Sequence, residues 1–194
     1  MILLLAIACG PTLPDCEEGQ HITADGACAD DPPIEGSEHF PACEPEPASD
    51  RINVRAGCAD GACNDADFPT INDALGEDGL CDNDIGGLSF CSWLGDTLHS
   101  FFEDDDGDGL PDTGATASGI YLYPGYDGTT EEGLGVGVSL ACWVDTYGYT
   151  DEVEYAIDDD GESYVSELFW TSVGLFVDDN NFDGVADRVS LFGS

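Results

Sequence analysis

Lysine is absent from this chain of 194 residues, and Arg51, Arg55 and Arg188 are its only strong cations against 42 acidic side chains. A net charge of -39 excludes the counterion-release chemistry by which proteins grip nucleic acid, and an anionic membrane leaflet would repel such a surface. What the charge admits is metal cations, cationic protein partners or a salt-rich habitat. Histidine is nearly as scarce: His21, His39 and His99 are scattered. No G-x-S-x-G elbow, H-E-x-x-H pair or phosphate loop occurs, so we expect a protein that is not an enzyme. His99 reads as a surface residue on a strand. After the opening residues no apolar run is long enough to cross a bilayer.

Cysteine, by contrast, is plentiful, with nine residues at positions 9, 16, 28, 43, 58, 63, 81, 91 and 142. An odd count in an exported protein calls for one cysteine with another use. The opening Met1-Ile2-Leu3-Leu4-Leu5-Ala6-Ile7-Ala8-Cys9-Gly10, an apolar run ending in small residues before Cys, resembles a bacterial lipoprotein signal. That resemblance implies a signal peptide over 1–8, lipidation of Cys9 and membrane attachment through it. Gly10, rather than Asp, after the lipidated cysteine implies the outer membrane or cell surface of a Gram-negative bacterium. Eight cysteines then remain, as paired thiols in an oxidising compartment. Cys58 with Cys63, Cys81 with Cys91 and Cys16 with Cys28 are local candidates, which leaves Cys43 and Cys142; eight cysteines admit about a hundred connectivities.

Residues 9–50 are rich in Pro, Glu, Asp and Gly, and Glu44-Pro45-Glu46-Pro47 reads as linker. We expect a lipidated tether there, carrying one small disulfide loop. Beyond it, Arg51 to Arg55 reads as a short strand. Asp67 to Gly76 reads as a helix with an acidic start, Pro69 in its first turn, one apolar face and a glycine stop. Strand-like runs follow at Leu88–Trp93, Leu98–Phe102 and 120–123. The pattern then recurs. Leu140, Trp143, Val144 and Tyr147 fall at helical spacing before Gly148, and strand-like runs follow at 164–170, 173–177 and 188–192. Leu75 aligns with Tyr147, Trp93 with Trp170 and Phe101 with Phe176, at offsets that drift only from 72 to 77 residues. The expected fold is therefore α+β: a tandem repeat of a short helix followed by an antiparallel β-meander, with repeats at 51–125 and 126–194 forming one compact domain. The aromatics Trp93, Trp143, Trp170, Phe101, Phe102, Tyr121 and Tyr123 are expected in the core and on sheet faces; exposed rings on one face would make a protein-binding surface.

Each repeat holds one acidic loop: Asp104-Asp105-Asp106-Gly107-Asp108-Gly109-Leu110-Pro111-Asp112, and Asp179-Asn180-Asn181-Phe182-Asp183-Gly184-Val185-Ala186-Asp187. Both read D-x-[DN]-x-D-G-x-x-D, the first nine positions of an EF-hand-type calcium loop. Alternate oxygen side chains converge on one point and glycine makes the sharp turn. The candidate ligands are Asp104, Asp106, Asp108, the Leu110 carbonyl and Asp112 in the first loop. In the second they are Asp179, Asn181, Asp183, the Val185 carbonyl and Asp187. Such hard oxygens suit Ca2+, and we expect two ions. The twelfth positions are Ala115 and Ser190 rather than a bidentate Glu. These are thus not EF-hands, and affinity should lie in the weak extracellular range of about 10⁻⁴ to 10⁻³ M. Asp, Asn and Gly are also what any hairpin turn prefers; two loops in one register argue for more than that.

The loops resemble those of dockerins and thrombospondin type 3 repeats. The helix ending in Ala74-Leu75-Gly76, followed by a meander, resembles the BamE/SmpA outer-membrane lipoproteins, and its doubling resembles the β-lactamase inhibitor proteins. What the resemblances imply is a fold and a role, without partner-contact residues: a calcium-binding envelope lipoprotein acting as a structural or protein-interaction module, with a protein partner and no nucleic acid. The alternatives are a secreted enzyme-inhibitor-like binding protein and a small hydrolase whose acidic site calcium supports.

Overall fold

The computed structural model describes residues 20–22, 28–30, 33–83, 86–148, 150–157 and 161–193, in two compact units, 1–33 and 34–194. In the first unit, β1 (Gln20–Ile22) and β2 (Cys28–Asp30) form an antiparallel hairpin. Cys28 is disulfide-bonded, but its expected partner Cys16, like Cys9 and the signal segment, lies outside the described residues.

The second unit is mostly β, with two short helices. It begins with a small sheet of β3 (Ile52–Asn53), β4 (Cys58–Ala59) and β5 (Ala62–Cys63). Asp60 and Gly61, both at positive φ, make the two-residue turn that right-handed strand twist favours, and the Cys58–Cys63 disulfide closes it. Helix α1 (Phe68–Leu75) then starts where the Asp67 carboxylate accepts the Thr70 N–H at 2.9 Å, and stops at Gly76 with φ 71°. Three strands follow, β6 (Leu80–Asn83), β7 (Leu88–Trp93) and β8 (Leu98–Glu103); the first acidic loop leads on to β9 (Ile120–Leu122). The same order repeats. Helix α2 (Leu140–Tyr147) precedes β10 (Glu152–Ile157), β11 (Ser163–Trp170) and β12 (Leu175–Asp178), and the second loop leads to β13 (Arg188–Leu191). All eight strands form one antiparallel sheet in the order β10-β11-β12-β13-β9-β8-β7-β6. The two halves meet through their last strands, with Tyr121 opposite Ser190.

Alternation along these strands sends one set of side chains to the helices. Trp93, Leu98, Phe102, Ile120, Leu122, Leu168, Trp170, Val177, Val189 and Leu191 are buried there together with Ile71 of α1 and Trp143 of α2. Phe68 of α1 packs on Trp93 and Phe102 at 5.6 and 5.8 Å, and Tyr147 of α2 packs on Trp170 at 5.9 Å. Two of the three buried indole N–H groups find matching acceptors: Trp93 donates to Asn72 Oδ1 on α1, and Trp170 to the Gly148 carbonyl at the end of α2, while that of Trp143 has no acceptor among the described residues. Both helices therefore cover the same face.

Three differences from the sequence reading have physical causes. Each helix is followed by four strands, not three, because β6 and β10 are the outer edges. Their acids point to water, so Leu80-Cys81-Asp82-Asn83 and Glu152-Val153-Glu154-Tyr155 carry little apolar signal. His99 is 7% exposed, packed between Phe90 and Tyr123 with Nε2 at 2.9 Å from the Asp96 carbonyl oxygen, and is not a surface residue. Residues 34–50, assigned on composition to the tether, belong to the larger unit. They run along it as a strap: Cys43 is bonded to Cys142, the Ser139 hydroxyl donates to the Pro41 carbonyl at 2.7 Å, and the Glu46 N–H donates to the Gly133 carbonyl at 2.9 Å. Ser49 and the buried Thr129 exchange further hydrogen bonds, Ser49 N–H to Thr129 Oγ1 at 2.9 Å and Thr129 N–H to Ser49 Oγ at 2.8 Å. Proline and glutamate suit an exposed extended strap as well as a free linker, which is why composition did not separate them.

Cys43–Cys142, Cys58–Cys63 and Cys81–Cys91 are three of the four expected pairs. Three disulfides point to an extracellular or periplasmic protein. Among the described residues no helix is long and apolar enough to cross a membrane.

Candidate metal centre

The two acidic loops leave equivalent strand ends, β8 and β12, and are built alike atom by atom. In the first, Asp104 is 1% exposed and its carboxylate turns inward. Oδ1 accepts the N–H groups of Gly107 at 2.9 Å and Asp108 at 3.2 Å, and Oδ2 accepts that of Gly109 at 3.0 Å. Asp106 Oδ1 takes a second share of the Asp108 N–H, Asp108 Oδ1 accepts from Leu110, and Asp112 Oδ2 reaches back to Asp105 N–H. In the second loop Asp179, also 1% exposed, accepts from Phe182 at 2.7 Å, Asp183 at 3.3 Å and Gly184 at 2.7 Å. Asn181 Oδ1 accepts from Asp183, Asp183 Oδ1 from Val185, and Asp187 Oδ2 from Asn180. Every one of these six bonds recurs at an offset of 75 residues.

The backbone explains the glycines. Gly109 and Gly184 sit buried at φ 86° and 77°, a conformation only glycine adopts without strain. Gly107, at φ 70°, has Phe182 as its counterpart, and Phe182 adopts the same left-handed geometry at φ 64°. That conformation costs a bulky residue about 1–2 kcal/mol. Its ring stacks on Tyr164 of β11, at 5.6 Å and 25° between planes, which offsets part of the cost. Keeping the backbone path with the wrong residue type shows how strongly the hydrogen-bond network dictates it.

Asp104, Asp106 and Asp108 each bring one carboxylate oxygen within 4.8 Å of the others, a group that could hold a metal ion. Asp106 and Asp108 are exposed, so an ion would approach from solvent. Asp112, an expected ligand, stands outside that group with its Oδ2 engaged by the Asp105 N–H at 3.0 Å, and Leu110 is 57% exposed. In the second loop Asn181 replaces Asp106, which leaves two carboxylates and an amide; Val185 and Asp187 occupy the places of Leu110 and Asp112. Burial raises the Asp179 carboxyl above its ordinary range, although the Gly184 and Phe182 N–H groups pull the other way. A buried carboxylate whose hydrogen bonds do not make good its lost hydration is one that a cation would stabilise. The second loop is also clamped from behind. The Leu140 N–H donates to the Gly184 carbonyl at 2.9 Å, and a Cβ on Gly184 would lie 2.7 Å from Pro41 and 2.9 Å from Phe40 of the strap.

On the sheet face away from the helices lie features that motif reading did not assemble. Arg188 forms a two-pronged ion pair with the buried Asp178. Glu167, directly across from Asp178, has its carboxyl pushed up to about 7, first by burial and then by the Asp178 charge. A line of half-buried rings, including Phe101, Tyr121 and Phe176, crosses the same face. The signal was present as alternation: in Leu98-His99-Ser100-Phe101-Phe102 one of two adjacent phenylalanines must face away from the core. The three tryptophans are all on the helix side and buried.

Compared with protein-family models, curated proteins and solved structures, the chain matches none of them.

Proposed function

We propose that the protein is a calcium-binding, non-catalytic envelope lipoprotein that serves as a structural or protein-interaction module, built from a duplicated helix–meander unit. The observation that carries the calcium reading is the recurrence of all six side-chain-to-backbone hydrogen bonds in two loops 75 residues apart, around an acid buried in each. Turn preference alone would not reproduce a full network twice with Phe182 in a glycine's conformation. Each loop takes one Ca2+: the first through Asp104, Asp106, Asp108, the Leu110 carbonyl and Asp112, the second through Asp179, Asn181, Asp183, the Val185 carbonyl and Asp187. The ion acts as a staple between adjacent strands, relieving repulsion among carboxylates at a strand end. The three disulfides support export, and Cys9 supplies the anchor to the outer membrane or cell surface. The uncovered sheet face supports the interaction role.

Amide hydrogen exchange tests the calcium reading. Calcium, and not magnesium, should slow exchange at 107–110 and 182–185 together; unchanged exchange in both loops would overturn it. Lipidation is read by labelled palmitate incorporated into the wild type and lost in Cys9→Ser.

A further inference from the structure

Both helices cover one face of the eight-stranded sheet, and among the described residues of that unit no layer covers the other. That face is not the mixed polar surface expected of a solvated sheet. Phe90, Phe101, Tyr121, Phe192, Phe176 and Phe169 form an unbroken string of half-buried rings, with successive centroids 5.0, 5.4, 5.6, 4.7 and 4.8 Å apart. The string runs from β7 to β11, and two glycines let the chain close up around Phe192. A Cβ on Gly119 would meet the Phe192 ring at 2.8 Å, and one on Gly174 would meet the Gly193 carbonyl oxygen at 2.1 Å. At its β6 end the same face carries Leu80, directly opposite Ser92 and 79% exposed. Eight strands at about 4.8 Å make a platform roughly 34 Å across.

Charge then selects the occupant. Glu152 stands opposite Phe169, Asp82 opposite Phe90, and Glu154 and Glu167 pair beside Asp178. The face's one guanidinium, Arg188, is already bonded to Asp178. A second copy of the chain would bring another net -39 against these acids, and an acidic or phosphate-bearing partner fares no better. Aromatic faces flanked by carboxylates suit arginine above other cations, because its planar guanidinium stacks on a ring while its N–H groups meet a carboxylate. The molecule shows this pairing elsewhere: Arg51 lies 5.2 Å over the Tyr126 ring while donating two 2.7 Å hydrogen bonds to Asp60.

We infer that the uncovered sheet face is a docking surface for an arginine-rich protein segment, about ten extended residues laid across the strands over the ring string. This deepens the interaction reading above and does not depend on the calcium loops.

The test uses the full, disulfide-intact chain and a synthetic ten-residue peptide alternating Arg and Ser, with Lys–Ser and Glu–Ser counterparts, in about 0.3 M NaCl to screen diffuse attraction. Backbone amide shifts report the site. The expected result is perturbation confined to β7–β9 and β11–β13, with Arg–Ser bound roughly tenfold more tightly than Lys–Ser and Glu–Ser not bound. Phe101→Leu with Phe176→Leu keeps both positions apolar while removing the ring faces, and should weaken Arg–Ser roughly tenfold. Glu154→Gln with Glu167→Gln, which leaves every ring in place, should weaken it as well. Equal binding of the Arg and Lys peptides to wild type and both variants, or shifts spread over the acidic loops and the strap, would overturn the inference. So would sedimentation showing a dimer whose shifts map to this face. Calcium binding is read in the same samples by the loop amides, so a failure there is separate from a failure here.

Discussion

Asp104 and Asp106 stand two residues apart in one loop, yet they should fail in opposite ways. Asp104 is buried and accepts three backbone N–H groups, whereas Asp106 is exposed and accepts one. Hydrogen bonds to a charged group contribute about 1.5–3 kcal/mol each. In Asp104→Ala the freed N–H of exposed Gly107 rehydrates and that of Asp108 keeps its bond to Asp106 Oδ1, while that of buried Gly109 is left without a partner. The net loss is about 3 kcal/mol, which lowers Tm by roughly 6–12 °C in a protein of this size. Asp106→Ala should stay within about 0.5 kcal/mol of wild type in chelator. With calcium the ranking changes. At about 10 mM Ca2+ and a Kd of 10⁻⁴ to 10⁻³ M, each site adds roughly 1.4–2.7 kcal/mol. Wild type then gains two such increments, and Asp106→Ala only the one from the second loop. The assay is thermal unfolding of the disulfide-intact chain in chelator, magnesium and calcium. The reasoning is refuted if Asp106→Ala keeps the whole calcium increment, or if both variants are equally stable in chelator.

Removing the strap's anchor with Cys43→Ser and Cys142→Ser frees a loop closed over 99 residues and should cost about 3–4 kcal/mol in denaturant unfolding, with faster amide exchange over 40–49. Gly184→Ala combines positive φ with a Cβ 2.7 Å from Pro41; a loss of about 3 kcal/mol is expected, against about 1 kcal/mol for Gly114→Ala, where the strain of positive φ acts without any close neighbour. The Glu167 carboxyl is raised from 4.5 to about 7 in the folded protein, so folding favours its protonated form; stability from this group is fully present below pH 4.5 and is lost as pH rises through 7. Discounted for its partial exposure, Glu167→Gln should be about 1 kcal/mol more stable than wild type at pH 8 and no different at pH 4 in parallel urea titrations.

Local chemistry made the helices and loops legible. Asp67 and Gly76 cap α1 as their residue types require, and Ser139 caps α2 by accepting the Ala141 N–H. The acidic register placed Asp104, Asp106 and Asp108 together because an alternating oxygen pattern followed by glycine has few other ways to turn. What stayed hidden depends on distant partners. That Phe101 faces away from the helices and Phe102 toward them is decided by register across β7 and β9, not by the pair itself. His99 is buried because Phe90 and Tyr123 close over it from neighbouring strands. The strap over 40–49 makes its bonds to Gly133, Thr129 and Ser139, some 80–100 residues away, so nothing in its own composition announces them.

The central claim is that two loops of one design each hold a calcium ion, and calorimetric titration of the intact chain with Ca2+ tests it most directly. Two ions should bind, with Asp108→Ala abolishing one site and Asp183→Ala the other, and magnesium should substitute for neither. No binding up to about 10 mM calcium, or a stoichiometry unchanged in both variants, would contradict it.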